Sequence, residues 1–226
     1  RHAGELCKPC PGTGDAYLCC NYFVINEMTG CPMDCRYCIL QDYLDSGILK
    51  VYINYEQIFE EYDKIQKKYP ERIFRIGTGE LADSLALESL TRLSSFLITY
   101  FSKKKNTLFE LKTKTASLPQ LTNGDKVENI VLSWSLNPES VIQSYELGTA
   151  RLKDRLDAAA EAASMGFKLS FHLDPIIHHK NWEKRYTELI DRLFNRINPD
   201  LIVWISMGGL RFTNGLRELI SRRYPQ

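Results

Sequence analysis

Hydrophobic positions along the chain gather into short apolar runs separated by amphipathic stretches. Tyr22-Phe23-Val24-Ile25 is the first run, and Ile73-Phe74-Arg75-Ile76 the second. Leu108-Phe109-Glu110-Leu111 and Ile130-Val131-Leu132-Ser133-Trp134 follow, then residues 169–173 and 201–205. Runs this short, rich in β-branched and aromatic residues, read as buried strands. The intervening stretches carry helical spacing. Asn54 with Gln57 three later has the capping-box pattern and predicts a helix that ends before Pro70. Asp83 or Ser84 is expected to cap a long helix bearing Leu87, Leu90, Leu93 and Leu97. An Ala-rich helix from about Arg151 closes at Gly166, a residue suited to the position just past a helix end. Further helices are predicted over 182–196 and after the sixth strand, ending before Pro225. Six β-α units in succession predict an α/β fold, a parallel sheet with helices outside. The pattern alone does not choose between an open sheet and a closed barrel. In either, the functional loops lie at the carboxyl ends of the strands.

The loop after the first strand holds the densest chemistry. Cys31, Cys35 and Cys38 are spaced C-x3-C-x2-C. A loop this tight aims three sulfurs at one point, and thiolates are soft ligands for iron–sulfur clusters, zinc or Cu(I). A [4Fe–4S] cluster ordinarily takes four Cys, so three leave one iron open to a non-protein ligand. A structural zinc site would lack its fourth ligand here, because no second C-x2-C pair follows the triad.

Composition adds limits. The chain has 226 residues, 44% of them hydrophobic, enough for one large domain. No apolar run approaches the ~20 residues that span a bilayer. Net charge is +1, with 29 basic against 28 acidic residues, which is not the footprint of a dedicated nucleic-acid binder. Lys103-Lys104-Lys105 and Arg222-Arg223 read as solvated charges near helix ends. Seven Cys in tight clusters argue against a secreted disulfide framework and for metal chemistry in a reducing, cytoplasmic setting. The chain starts at Arg1 with no apolar leader segment, and reads as a fragment or processed chain. Residues 1–21 form a Cys-rich N-terminal segment and 22–226 the core domain. Cys7, Cys10, Cys19 and Cys20 have three readings: a second cluster or zinc site, a redox or hydrogen-donor role, or free thiols on a flexible arm.

The triad with Tyr37 just before its last Cys resembles the signature of the radical S-adenosylmethionine (SAM) enzymes. The string Gly30-Cys31-Pro32-Met33-Asp34-Cys35-Arg36-Tyr37-Cys38-Ile39-Leu40-Gln41 is similar to the spore photoproduct lyase branch, and the likeness runs from about residue 24 to the end. The resemblance implies a partial (β/α)6 barrel, a [4Fe–4S] cluster on Cys31, Cys35 and Cys38, and SAM chelated to the open iron. An electron from the cluster then splits SAM to a 5′-deoxyadenosyl radical that abstracts hydrogen from a substrate. It implies an electron donor such as ferredoxin or flavodoxin, and DNA as a partner. No membrane is expected.

Polar residues at the strand ends supply the rest of the expected site. Gly77-Thr78-Gly79-Glu80 looks like the Gly-Gly-Glu motif that holds the SAM amino group. Lys112 aligns with a family lysine at the SAM site, and Ser135-Leu136-Asn137 matches a family Ser-x-Asn. Tyr37 is placed near the adenine, Arg155 opposite the SAM carboxylate, and Asp174 at the cofactor. Asp83, His172 and Arg211, the last followed by Phe212 as in the family, are candidate substrate contacts. Lys114 also ends strand three, and His178-His179 lie beyond strand five.

Two departures stand out. The lyase returns a hydrogen atom from a cysteine just after strand two, where this chain has Glu80, and relays it through a tyrosine where this chain has Ile39. The family's DNA-gripping hairpin lies beyond Gln226, so the C-terminal part of a full-length protein is expected to be missing. Two other readings stay open: radical modification of a peptide, RNA or small molecule with residues 1–20 binding an auxiliary cluster, and a non-enzymatic metal-binding module.

Overall fold

The computed structural model describes residues 4–11, 21–44, 46–121 and 127–225. Seven strands form one sheet: β1 (Cys7–Pro9), β2 (Tyr22–Ile25), β3 (Phe74–Gly77), β4 (Thr107–Thr113), β5 (Ile130–Ser135), β6 (Lys168–Ile176) and β7 (Ile202–Gly209). Their order in the sheet is their order in the chain. β2 to β7 run parallel, and β1 adds an antiparallel edge with Cys7 opposite Ile25.

The sheet curls. In a flat sheet β3 and β7, four places apart, would lie ~19 Å from each other at the usual ~4.8 Å strand spacing. Instead the Arg75 guanidinium sits 4.2 Å from the centroid of the Trp204 indole. Glu110 on β4 likewise reaches Tyr22 on β2 at 2.7 Å and His172 on β6 at 2.7 Å, skipping a strand each way. The outcome is an open barrel, with no strand among the described residues pairing the outer edge of β7.

Helices cover the outside: α1 (Leu40–Tyr43), α2 (Tyr55–Lys68), α3 (Glu88–Thr91), α4 (Leu93–Phe101), α5 (Glu139–Tyr145), α6 (Leu152–Ser164), α7 (Trp182–Arg196) and α8 (Asn214–Arg223). β5 is buried at every position, as a strand packed on both faces should be. Phe101 and Phe109 stack between α4 and β4 with ring centroids 4.3 Å apart. Leu156, Ala159 and Ala162 bury one face of α6. Gly166, at φ +91°, ends that helical segment as predicted.

Several expectations need correction. The long helix from Asp83 or Ser84 does not form. Asp83 instead accepts from Thr113 Oγ1 (2.7 Å), Lys114 N (2.7 Å) and Leu85 N (3.0 Å). Ser84 Oγ meets Thr78 Oγ1 at 2.6 Å and Lys112 N at 2.9 Å. Both side chains are thus spent tying the ends of β3 and β4 together. Helix starts only at Glu88 and breaks at Arg92, whose φ is 49°. Leu90 consequently faces solvent, 81% exposed, while Leu93 and Leu97 are buried. The Asn54–Gln57 pair bonds side chain to side chain at 2.6 Å rather than capping backbone. The last strand begins after a 3-10 turn, Pro199–Leu201, and runs on to Gly209. α5 and β1 are additions that the apolar pattern does not announce.

Cys7 belongs to the core. It is 3% exposed within the main hydrophobic cluster, and burial pushes its thiol up to about 12. It packs there apart from the cavity that Cys31, Cys35 and Cys38 line. Cys10 is half-buried just past β1; Cys19 and Cys20 lie outside the described residues. Among the described residues no helix is long and apolar enough to cross a membrane.

Candidate active site

A cavity of ≈ 610 Å3 opens at the carboxyl ends of the parallel strands. Every one of those strands contributes. The loop after β2 brings Cys31, Cys35, Tyr37 and Cys38; β3 leads into Gly79, Glu80 and Asp83; β4 gives Lys112, Thr113 and Lys114. β5 ends in Ser135, β6 supplies Asp174 and Pro175, and the loop after β7 adds Leu210, Arg211 and Phe212. The sequence motifs, scattered over 180 residues, thus converge on one space.

The thiol loop is held by its own short-range contacts. Gln41 Nε2 donates to the carbonyls of Cys35 (3.3 Å), Arg36 (3.0 Å) and Cys38 (3.2 Å). Asp34–Cys35 pairs antiparallel with Glu146–Leu147. Burial pushes the Cys35 thiol up to about 12 and Cys31 to about 11, and raises Cys38. Lys114 works in the opposite direction on Cys35 and Cys38. Burial thus favours the protonated thiols, and a metal binding there would displace those protons.

Among the described residues no group of three or more His, Cys, Asp or Glu is arranged to hold a single metal ion. The three thiols do line one cavity, and thiolates are the ligands that iron–sulfur groups take. Glu80 fits a cationic ligand beside it: its Oε2 is buried and has no hydrogen-bond partner among the described residues. A buried acceptor left unmade is costly unless a ligand completes it. Gly79, at φ +91°, makes the turn that presents Glu80.

Four expected site residues stand apart from the cavity wall. Gly77 is a packing glycine; a Cβ there would lie 2.1 Å from the Tyr22 hydroxyl and 2.5 Å from the Glu110 carbonyl. His172 turns into the barrel and pairs with Glu110 at 2.7 Å. Asn137 and Arg155 are buried partners of Glu146, at 2.8 and 2.6 Å. Tyr37 lines the cavity, yet its hydroxyl donates to Glu146. Asp83, although at the wall, spends its carboxylate on β4. Asp174 and Arg211 do meet, with Nη2 3.3 Å from the carboxylate. His178 lies near Trp182, and His179 Nδ1 meets the Ile177 carbonyl at 2.9 Å, away from the cavity wall.

Glu146 is the residue the sequence does not reveal. Its partner Tyr37 lies 109 positions away, beyond any local pattern. Tyr43 and Phe212, both exposed, join Tyr37 as the aromatic part of the cavity wall. Lys112, at the end of β4, and Lys114, just past it, both reach the cavity wall.

Comparison with known proteins agrees with this arrangement. The family model "Spore photoproduct lyase" matches residues 18–226. Spore photoproduct lyase of Bacillus subtilis (strain 168) is 28% identical over 207 residues, covering 90% of this chain and 60% of that protein. The lyase of Geobacillus sp. (strain Y412MC61) is 30% identical over 210 residues, covering 90% and 61%. A solved spore photoproduct lyase mutant with bound AdoMet and dinucleoside spore photoproduct superimposes with TM-score 0.84 at 27% identity, over 90% of this chain and 61% of that one. Another, complexed with the dinucleoside spore photoproduct, gives TM-score 0.84 at 28% identity with the same coverage. The chain therefore spans about three-fifths of the length of the relatives it matches. With the curled parallel sheet, the thiol triad on its first loop and a family model covering nearly the whole length, the chain belongs to the spore photoproduct lyase family of radical SAM proteins.

Proposed function

We propose that this chain is the core of a radical SAM enzyme in which Cys31, Cys35 and Cys38 hold a [4Fe–4S] cluster. The observation that carries the reading is one cavity lined by all three thiols and by Glu80, whose buried Oε2 awaits a donor. Glu80 would accept from the SAM amino group, a charge-assisted bond. Lys112, Ser135 and Asp174, which line the same cavity, would contact the rest of SAM. Arg211 and Phe212, at the cavity wall opposite the thiol loop in sequence, would face substrate. Arg155, Asn137 and His172 support the site from behind. When bound, the cluster supplies the electron that splits SAM and yields a hydrogen-abstracting radical. Residues 22–226 carry this chemistry, in a cytoplasmic setting with a ferredoxin- or flavodoxin-like donor.

By relation to proteins solved with the dinucleoside spore photoproduct, the leading substrate is a DNA lesion. One observation favours a second reading. Glu80 and Ile39, which replace the lyase's hydrogen-donor cysteine and relay tyrosine, both line the cavity. Among the described residues the cavity wall has no cysteine besides the triad. Hydrogen abstraction from a different nucleic acid, peptide or small molecule meets that feature without a returning thiol.

The test is an anaerobic iron and sulfide count with electron paramagnetic resonance before and after SAM. About four irons per chain, lost in Cys31→Ala, and a signal perturbed by SAM are expected. Zinc, or a signal indifferent to SAM, would sink the reading. Turnover of the dinucleoside spore photoproduct then separates the two substrate classes.

A further inference from the structure

The buried charge centre behind the thiol loop has a geometry that goes beyond support. Main chain and side chain of the same short segment grip the loop. Leu147 and Glu146 pair with Asp34 and Cys35, and Arg36 N donates to the Tyr145 carbonyl at 2.8 Å. The Glu146 carboxylate accepts from the Tyr37 hydroxyl and from Asn137 Nδ2. Residues 34 to 37, which bracket Cys35 and precede Cys38, are thereby fixed to the end of α5.

The anchor is itself immobile. Arg155, 0% exposed, donates to Glu146 Oε2 (2.6 Å), Thr149 Oγ1 (2.6 Å), Ala150 O (2.9 Å) and Ser135 O (2.8 Å). That guanidinium has little left to offer elsewhere. Lys114 differs. Its Nζ lies 3.6 Å from Glu146 Oε1 and 5.8 Å from the centre of the Tyr37 ring, its side chain is 16% exposed, and it lines the cavity with the thiols. Two cations thus share one carboxylate. Of the two, Lys114 is the cation that lines the cavity with Cys35 and Cys38.

We propose that Glu146 is a positioning residue for the thiol loop and that, by holding Lys114 beside Cys35 and Cys38, it sets the reduction potential of the iron–sulfur group those thiols bind. This rests on the cluster reading above. An ammonium lining the same partly buried cavity as a thiolate-ligated cluster favours the reduced, more negative state.

The test uses anaerobically reconstituted full chains of the parent, Lys114→Gln, Lys114→Arg and Glu146→Gln, each checked for fold by circular dichroism. Iron per chain and the midpoint potential are measured, the latter by a redox titration followed by paramagnetic resonance. Lys114→Gln is expected to keep the parent iron count with a more negative midpoint, and Lys114→Arg to restore the parent midpoint. Glu146→Gln is expected to retain at most half the parent iron against a chelator. Should Glu146→Gln fail to fold, the Lys114 pair decides alone. A Lys114→Gln midpoint equal to the parent's overturns the proposal. So does a Glu146→Gln chain that folds and holds iron like the parent. A parent that takes up no iron overturns both this proposal and the cluster reading, and that count tells the two failures apart.

Discussion

Two buried carboxylates, Glu110 and Glu146, solve the same electrostatic problem with different partners. Burial pushes both up, and partners outweigh it, holding each at about 2. Around Glu110 the partners are His172, Ser133 and Tyr22, all on strands of the sheet. Around Glu146 they are Lys114, Arg155, Tyr37 and Asn137, and only Lys114 and Tyr37 touch the cavity. Glu110 therefore fastens strands to one another, whereas Glu146 fastens a loop to the fold. The first should be felt as barrel stability and the second as site geometry. A third buried carboxylate sharpens the contrast. Glu27, 2% exposed and just past β2, has no ion pair among the described residues, and burial drives it up to about 8.

The largest effect should come from Arg155→Met. It strips a fully buried partner from Glu146, and breaking a buried pair costs about 3–5 kcal/mol. Urea unfolding at pH 7 should show that loss, with iron retention falling alongside; stability within 1 kcal/mol of the parent would mean Lys114 alone suffices. Next is Glu27→Gln. A carboxyl whose folded-state value is raised stabilises the fold below its ordinary value of 4.5 and weakens it as pH climbs through about 8. The variant should gain about 2–4 kcal/mol at pH 9 and little at pH 5. A gain equal at both pH values would show that shape, not charge, is responsible.

Glu110→Gln should cost less, about 1.5–3 kcal/mol for hydrogen bonds to a charged acceptor, and should leave the iron count unchanged. Iron loss there would erase the distinction between the two centres. In the parent both carboxylates are depressed, so the stability they give is present above about pH 4.5 and is lost as pH falls toward 2. An acid titration followed by circular dichroism should lose structure across that interval. The smallest effect belongs to Asp34→Asn, at the exposed contact between the thiol loop and Arg223, where about 0–1 kcal/mol is expected.

The difference between these centres also explains what the sequence discloses. The six parallel strands were legible because each is a short apolar run, and the thiol loop because its spacing is local. Lys112 and Lys114 reveal themselves by lying at the end of an apolar strand. Glu146 does not, since its partners Tyr37 and Lys114 are distant in the chain and its own neighbourhood reads as a helix end. Arg155 and Asn137 look like ligand contacts in a linear reading because a polar residue near a strand end has two destinations, the cavity or a buried partner. Only the curl of the sheet decides between them. The failed helix at Asp83 has the same origin, as its cap residues found long-range partners on β4.

The last helix is moored to the thiol loop rather than to the sheet. Arg223 Nη2 and the Tyr224 hydroxyl meet Asp34 at 2.9 and 2.5 Å, Arg36 lies over the Tyr224 ring at 5.1 Å, and Thr213 bonds Asp42. The Arg223–Asp34 pair is 45% exposed on both sides. Salt at about 1 M shortens the reach of such charges to about 3 Å. Raising the ionic strength would therefore loosen only the charged part of this mooring, while the Tyr224 and Thr213 hydroxyls, which donate without carrying charge, keep the last helix docked on the thiol loop.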